Sequence, residues 1–273
     1  MLWDQDYVKL ASKTNQIVPG FNIFGYEDAG AVIRAAQRAN APVLLMINRD
    51  ARRDLKLEHW GALLLSMAKD ATVPVAVHLD HSSNIESVKR AIDAGFTSVM
   101  FDGSKLPLDE NIRISKELAE QAHDKGTFIE VELGAVPYDD LGQTNIVLTS
   151  PDEAKLMESS TDIDWLAVSV GNIHRLVNRT APIQFDVLES IEQACSVPLV
   201  IHGSSGISTQ DLMGLKSKRV GKVNFGTAIR KVIGDALRQE ILSRPDEFDR
   251  QKLMLKPIEL AEQSAFELIQ SLK

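Results

Sequence analysis

Eight short apolar runs punctuate the chain, and stretches with helical spacing separate them. The runs read QIVPGFN (16–22), PVLLMI (42–47), PVAVHLD (74–80), SVMFDG (98–103), FIEVELG (128–134), WLAVSVG (165–171), PLVIHG (198–203) and KVNFGT (222–227). Most are continuous instead of alternating, which is how strands of a parallel sheet read when both faces are buried. The intervening YEDAGAVIRAAQRAN (26–40) is amphipathic and acidic in its first turn. SNIESVKRAIDAG (83–95) opens on a Ser/Asn cap, sets Ile85, Val88, Ala91 and Ile92 on one stripe, and stops at Gly95. LDENIRISKELAEQAHDKG (108–126) and SPDEAKLMESS (150–160) behave similarly, the latter with Pro151 just inside its start.

The runs end near residues 22, 47, 80, 103, 134, 171, 203 and 227, with no Pro/Gly-rich linker between them. Eight β–α units of such even length predict an α/β fold, a (β/α)8 TIM barrel over about residues 16–243. Residues 244–273 predict a C-terminal helical extension packed on the barrel or on a neighbouring subunit, the whole of 1–273 forming one domain. An open doubly wound sheet would carry a Gly-rich loop after its first strand, and PGFNIFG matches that poorly.

In such a barrel the chemistry sits at the C-terminal ends of the strands. The third run leads into VAVHLDHSSN (75–84), where His78, Asp80 and His81 crowd a strand tip that solvent contact alone would not require. The fourth ends at Asp102, the fifth carries Glu130 and Glu132, the sixth runs into GNIHR with His174, the seventh ends at His202, and the eighth holds Asn224 and Thr227. Four of the six histidines thus lie at strand ends, whereas His59 and His123 fall in helical stretches and read as surface or packing residues. Imidazoles from strands three, six and seven make an all-histidine set suited to a catalytic zinc with one open position. Each taken alone reads as an ordinary hydrogen-bonded histidine. The Gly and Ser of HGSSG (202–206), and the turn opening a helix after VNFGT, read as a phosphate cradle beside that set.

Composition narrows the partners. The net charge is −8, with 44% hydrophobic and 25% charged residues, an ordinary soluble globular balance. No basic cluster exceeds Arg52-Arg53 and KSKR (216–219), so neither nucleic acid nor an anionic membrane is expected as a partner. The one cysteine, Cys195, permits no intramolecular disulfide and reads as a small buried hydrophobe in a reducing compartment. MLWDQDYVKL is no secretory signal, and the longest apolar run, APVLLMI (41–47), is far short of a membrane span. A cytoplasmic protein is the expectation.

With HLDH, ELG, GNIH, HGSSG and VNFGT in this order and spacing, the chain resembles the class II, zinc-dependent ketose-bisphosphate aldolases, and their tagatose/fructose-bisphosphate branch above all, from about residue 16 to 245. The resemblance implies a lyase that reversibly cleaves a ketose (bis)phosphate into dihydroxyacetone phosphate and an aldehyde through a zinc-stabilised enediolate. It implies Zn2+ on His81, His174 and His202, with Asp102 and Glu132 near an alternative or second metal site and room for a monovalent cation. Asp80 is then the group that exchanges a proton with the aldehyde oxygen, and Gly203, Ser204, Ser205, Asn224, Phe225, Gly226 and Thr227 hold the substrate phosphate. His78 faces the same way as Asp80 by strand alternation and would support a ligand. A homodimer or homotetramer follows from the same resemblance.

Three stretches depart from the family's pattern. Where it has a Gly-Gly pair and then a Glu that removes the carbon proton, this chain has Pro137 and Tyr138 and then Asp140, which is preferred to Asp139 as the base. Arg175 stands where a Gly follows the metal-binding His; it adds an anion contact, fills part of the site, or turns out into solvent. After the second strand, Asn48 and Arg49 suggest an altered aldehyde pocket. An aldolase for a different, unphosphorylated aldehyde is therefore a second reading. A non-catalytic protein that binds metal and sugar phosphate is a third, and a metal-dependent sugar-phosphate epimerase is a fourth.

Overall fold

The computed structural model describes residues 1–53, 55–142, 145–176 and 180–273. Eight strands close into one parallel barrel in chain order: β1 (Val18–Asn22), β2 (Val43–Ile47), β3 (Val75–Ser82), β4 (Ser98–Phe101), β5 (Phe128–Leu133), β6 (Trp165–Val168), β7 (Leu199–Ile201) and β8 (Val220–Phe225), with β8 pairing back onto β1. Most strands stop one to three residues short of the apolar runs that announce them, because the polar residues at the run ends leave the ladder for the βα loops. Two corrections are of another kind. β3 runs on to Ser82, and β8 is shifted, beginning at Val220 and ending at Phe225, so that Thr227 opens the next helix instead of ending a strand.

The outer ring holds α2 (Tyr26–Ala39), α3 (Leu57–Asp70), α4 (Ile85–Asp93), α5 (Leu108–His123), α6 (Pro151–Ser160), α7 (Phe185–Ala194), α8 (Thr209–Leu215) and α9 (Thr227–Ser243). Their apolar stripes and the outward faces of the strands make one continuous core. Before the barrel, α1 (Tyr7–Ala11) closes its bottom, with Asp6 capping Lys9 N–H at 2.8 Å and accepting from Trp165 Nε1 at 3.0 Å. The C-terminal extension is a single helix, α10 (Arg250–Leu272), seated on α2 and α9 through Ala261, Ala265, Ile269 and Leu272. Glu262 on it pairs with Arg34 and Arg38 of α2, and Ile17 N–H donates to Leu272 C=O at 3.0 Å beside β1.

Inside the barrel the side chains form tiers, as alternation along each strand requires. One apolar cluster in the interior includes Val18, Leu44, Met46, Ala76, Met100, Trp165, Ala167 and Val200, packed with Trp3, Val8 and Ala11. Level with Met46, Met100, Trp165 and Val200 of that cluster the interior becomes ionic, with His78, Glu130 and Lys222 all fully buried. Two residues further along the same strands stand Asp80, Glu132 and Asn224, joined at the mouth by Asn22 and His202.

Candidate metal centre and active site

Strand alternation turns Asp80 into the barrel and ought therefore to turn His81 out of it. A bulge resolves the conflict: the β3–β4 register shifts between Leu79 and Ser82, and His81 adopts a left-handed φ of 44°. The ring swings back over the mouth. Such a conformation costs a β-substituted residue on the order of 1–3 kcal/mol and persists only where its surroundings fix it. Here Arg52 Nη2 donates to the His81 carbonyl at 3.1 Å, and Asp102 N–H donates to the Ser82 carbonyl at 2.9 Å.

His81, His174 and His202 converge on that point. One ring nitrogen from each lies within 4.8 Å of the others, and His202 Nδ1 stands 2.6 Å from His81 Nε2. The remaining nitrogens of two rings are held by carboxylates, His202 Nε2 by Glu130 Oε1 at 2.7 Å and His81 Nδ1 by Asp102 Oδ2 at 3.2 Å. That arrangement fixes the tautomers and turns the opposite lone pairs toward a common centre. His174 Nε2 is buried with no hydrogen-bond partner among the described residues. Burial, reinforced by His81, keeps His174 and His202 far below the usual imidazole pKa, in the neutral form that ligates metal. Burial opposes charge on His81 too, yet Asp80, Asp102 and Glu132 raise its pKa to about 10. The mouth thus favours positive charge, and the donor set fits a divalent cation. A second group, His81 with Asp102 and Glu132, shares the same edge. Burial and the neighbouring Asp102 push Glu132 up to about 8, and its Oε2 has no hydrogen bond among the described residues although His81 Nδ1 is 3.5 Å away.

Asp80 is buried beside the triad, where Asn22 Nδ2 donates to its Oδ2 at 2.7 Å and Asn224 Nδ2 to its Oδ1 at 3.2 Å. Burial works against its charge, but His81, His202, Lys222 and Asn22 prevail and hold its pKa below the usual value. His78 faces the same interior one tier lower, its Nδ1 2.9 Å from Ser98 Oγ, and so belongs to the supporting layer. Three participants were not anticipated: Asn22, the Glu130 contact to His202, and Lys222. Alternation along β1, β5 and β8 would have pointed each inward, although their pairings join residues far apart in the chain.

Next to Asp80, Gly203, Ser204, Ser205, Asn224, Gly226 and Thr227 line one cavity with His81, His174 and Arg175. Gly203 has φ 68°, and a Cβ there would stand 2.6 Å from the Ile173 carbonyl, so only glycine lets the two loops meet. Ser204 Oγ donates to the Asn224 carbonyl at 2.6 Å, while Ser205 Oγ is buried without a partner among the described residues. Thr227 begins α9, whose positive end opens on the cavity. Phe225 contributes no side chain to the cavity. Alternation turns its ring outward into the helix-facing core, 5.6 Å from Phe21. Arg230, one turn into α9, lines it instead.

The unusual loops close over the same opening. Pro137 C=O accepts from His174 N–H at 2.9 Å, and Asp139 N–H donates to His174 C=O at 3.1 Å, docking the β5 loop on the β6 loop. Tyr138 is thereby stacked on the His174 ring, 4.3 Å between centroids and 15° from parallel. Arg175, with φ 58°, does not turn into solvent: Nη1 meets Asp140 Oδ2 at 2.6 Å and Nη2 meets Asp50 Oδ2 at 2.5 Å. Asp140 lies at the half-exposed rim. Asn48 lines the cavity, with its Oδ1 accepting from the N–H groups of Asp50 and Ala51. Arg49 does not; its side chain is 69% exposed and borders a separate groove with Arg52, Arg53 and Arg90. His59 and His123 are on helix surfaces, and burial pushes the Cys195 thiol up to about 11, leaving it unreactive.

Residues 5–273 match the family described as fructose-bisphosphate aldolase class-II. The fructose-bisphosphate aldolase of Staphylococcus epidermidis is 33% identical over 249 residues, 89% of this chain and 87% of that protein. The corresponding enzyme of Geobacillus stearothermophilus is 34% identical over 244 residues, 86% of this chain and 83% of that one. Among solved structures, the YdjI aldolase from Escherichia coli K12 superposes with a TM-score of 0.86 at 30% identity, over 100% of this chain and 97% of that chain. No helix among the described residues is long and apolar enough to cross a membrane.

Proposed function

We propose, since the chain belongs to the class II fructose-bisphosphate aldolase family, that it reversibly cleaves a ketose (bis)phosphate such as fructose- or tagatose-1,6-bisphosphate into dihydroxyacetone phosphate and an aldehyde. It is an aldehyde-lyase of a family that is metal-dependent. The observation that carries the finer reading is the convergence of His81, His174 and His202 beside an ionised Asp80 and a cavity rich in backbone donors.

In this reading the three imidazoles hold a zinc ion, which supplies Lewis-acid stabilisation of the negative charge left on the ketone half when the carbon–carbon bond breaks. Asp80 takes the C4 hydroxyl proton in cleavage and returns it to the aldehyde oxygen in condensation, its carboxylate aimed by Asn22 and Asn224. Gly203, Ser204 and Ser205, the backbone of Asn224 through Gly226, and Thr227 seat the phosphate at the positive end of α9. Arg175 joins them with its guanidinium. Asp140 exchanges the proton at C3 of dihydroxyacetone phosphate once substrate has drawn Arg175 off it. Asp102 steadies His81, and with Glu132 it remains the candidate for a second cation position.

Proton exchange tests the assignment. Metal-loaded protein incubated with dihydroxyacetone phosphate in deuterated water is expected to replace one C3 proton stereospecifically with no aldehyde present. Asp140→Ala is expected to slow that exchange by roughly 10²–10⁴-fold. Binding of dihydroxyacetone phosphate with no exchange would sink the enzymatic role and leave a binding protein. Separately, Asp102→Asn is expected to weaken zinc binding by about 10–100-fold, read by competition with a chromogenic chelator.

A different aldehyde partner is the second reading, favoured by Tyr138 and Arg175, which add bulk at the mouth where the family has glycines. Rates of condensation across a panel of phosphorylated and unphosphorylated aldehydes decide between the two. We also read residues 1–273 as one domain that assembles as a homodimer or homotetramer; exposed Ile241, Leu242, Phe248 and Leu255 on and between α9 and α10 are consistent with assembly.

A further inference from the structure

We propose that Lys222 is a positioning residue for the metal centre, acting through Glu130 on His202; the inference rests on the metal reading above. Lys222 enters the barrel from β8 and Glu130 from β5, both fully buried. Glu130 is shared. Its Oε1 holds His202 Nε2 at 2.7 Å, and its Oε2 accepts from Lys222 Nζ at 2.6 Å. Lys222 Nζ also stands 3.4 Å from His78 Nε2, whose other nitrogen is 2.9 Å from Ser98 Oγ. One chain of contacts thus runs from β4 through β3, β8 and β5 to a metal-facing ring on β7.

Stability does not account for this pair. A buried ion pair gains little over well-packed apolar side chains of similar volume, because both charges must be stripped of water. The register partners of His78, Glu130 and Lys222 on the adjoining strands are Met46, Met100, Trp165 and Val200, which shows that apolar packing was available at this level. The charged pair occurs at the level where Glu130 touches His202.

Chemistry does account for it. A carboxylate on Nε2–H fixes the His202 tautomer with Nδ1 toward His81 and the centre they share. Left alone, that carboxylate would add a negative charge beneath the cation and could rotate off the ring. Lys222 cancels the charge and pins the second oxygen. Three neutral imidazoles then leave the metal its full charge at the substrate face, where stabilising developing negative charge depends on it.

Lys222→Met and Lys222→Gln test this, the latter retaining a neutral donor to Glu130 in case the former does not fold. Three quantities are measured for parent and variants: the zinc dissociation constant, the visible spectrum of the Co2+-substituted protein, and kcat and KM for ketose cleavage. The expected result is roughly 10-fold or weaker zinc binding, a shifted Co2+ band, and a fall in kcat with KM little changed. Zinc affinity within threefold of the parent together with an unaltered Co2+ spectrum in a folded variant overturns the proposal, whatever its thermal stability. A parent chain that binds no divalent metal would remove the metal reading and this inference together. A parent that binds it while the variants bind it equally well removes this inference alone.

Discussion

His81→Ala is expected to reduce turnover by about 10⁴-fold or more and to strip the protein of its metal. Three features of the site meet at this residue. It supplies a ring nitrogen 2.6 Å from that of His202, it anchors the Asp102 carboxylate, and its left-handed backbone aims it at the centre. Without the ring, two imidazoles remain, and the Lewis-acid contribution of several kcal/mol to the transition state goes with the cation. Metal content by atomic absorption and kcat/KM on fructose-1,6-bisphosphate measure the two effects together. Retained metal and near-parental activity in this variant would mean that the triad is not the catalytic centre.

Asp80→Asn is expected to behave differently, and the contrast is informative. The amide is nearly isosteric, so zinc affinity should stay within a fewfold of the parent while cleavage falls by roughly 10²–10⁴-fold through loss of proton transfer. Exchange at C3 of dihydroxyacetone phosphate should survive, because Asp140 on a different loop carries that proton in our reading. Asp140→Ala should show the converse, with slow exchange. If Asp80→Asn abolishes exchange as well, one carboxylate performs both transfers, and Asp140 is a structural partner of Arg175.

The barrel and its histidines were legible because they depend on local pattern. Continuous apolar runs at even spacing fix a parallel sheet, and the ionisable residues stand where those runs stop. What the sequence concealed depends on geometry that pattern does not carry. Period-two alternation sends Asp80 and His81 to opposite faces, and only the bulge at Leu79–Ser82 reunites them. The resemblance put Phe225 in the phosphate loop without saying which of its atoms face it, and its ring packs on Phe21. Lys222 read as the first residue of a strand that in fact begins two residues earlier, and its partner Glu130 lies three strands away around the closed barrel. Arg175 was open to three interpretations because its partners, Asp50 and Asp140, come from two other loops.

Closure of the barrel also constrains how the chain can mature on the ribosome. β1 finds one neighbour in β8 and further cover in α10, where Ile17 N–H meets the Leu272 carbonyl. The first strand to emerge therefore waits for the last helix, with most of the polypeptide synthesised in between. Until then it presents a bare edge of the kind that recruits stray strands. Native closure is therefore a long-range event, set by the sequence distance between β1 and β8.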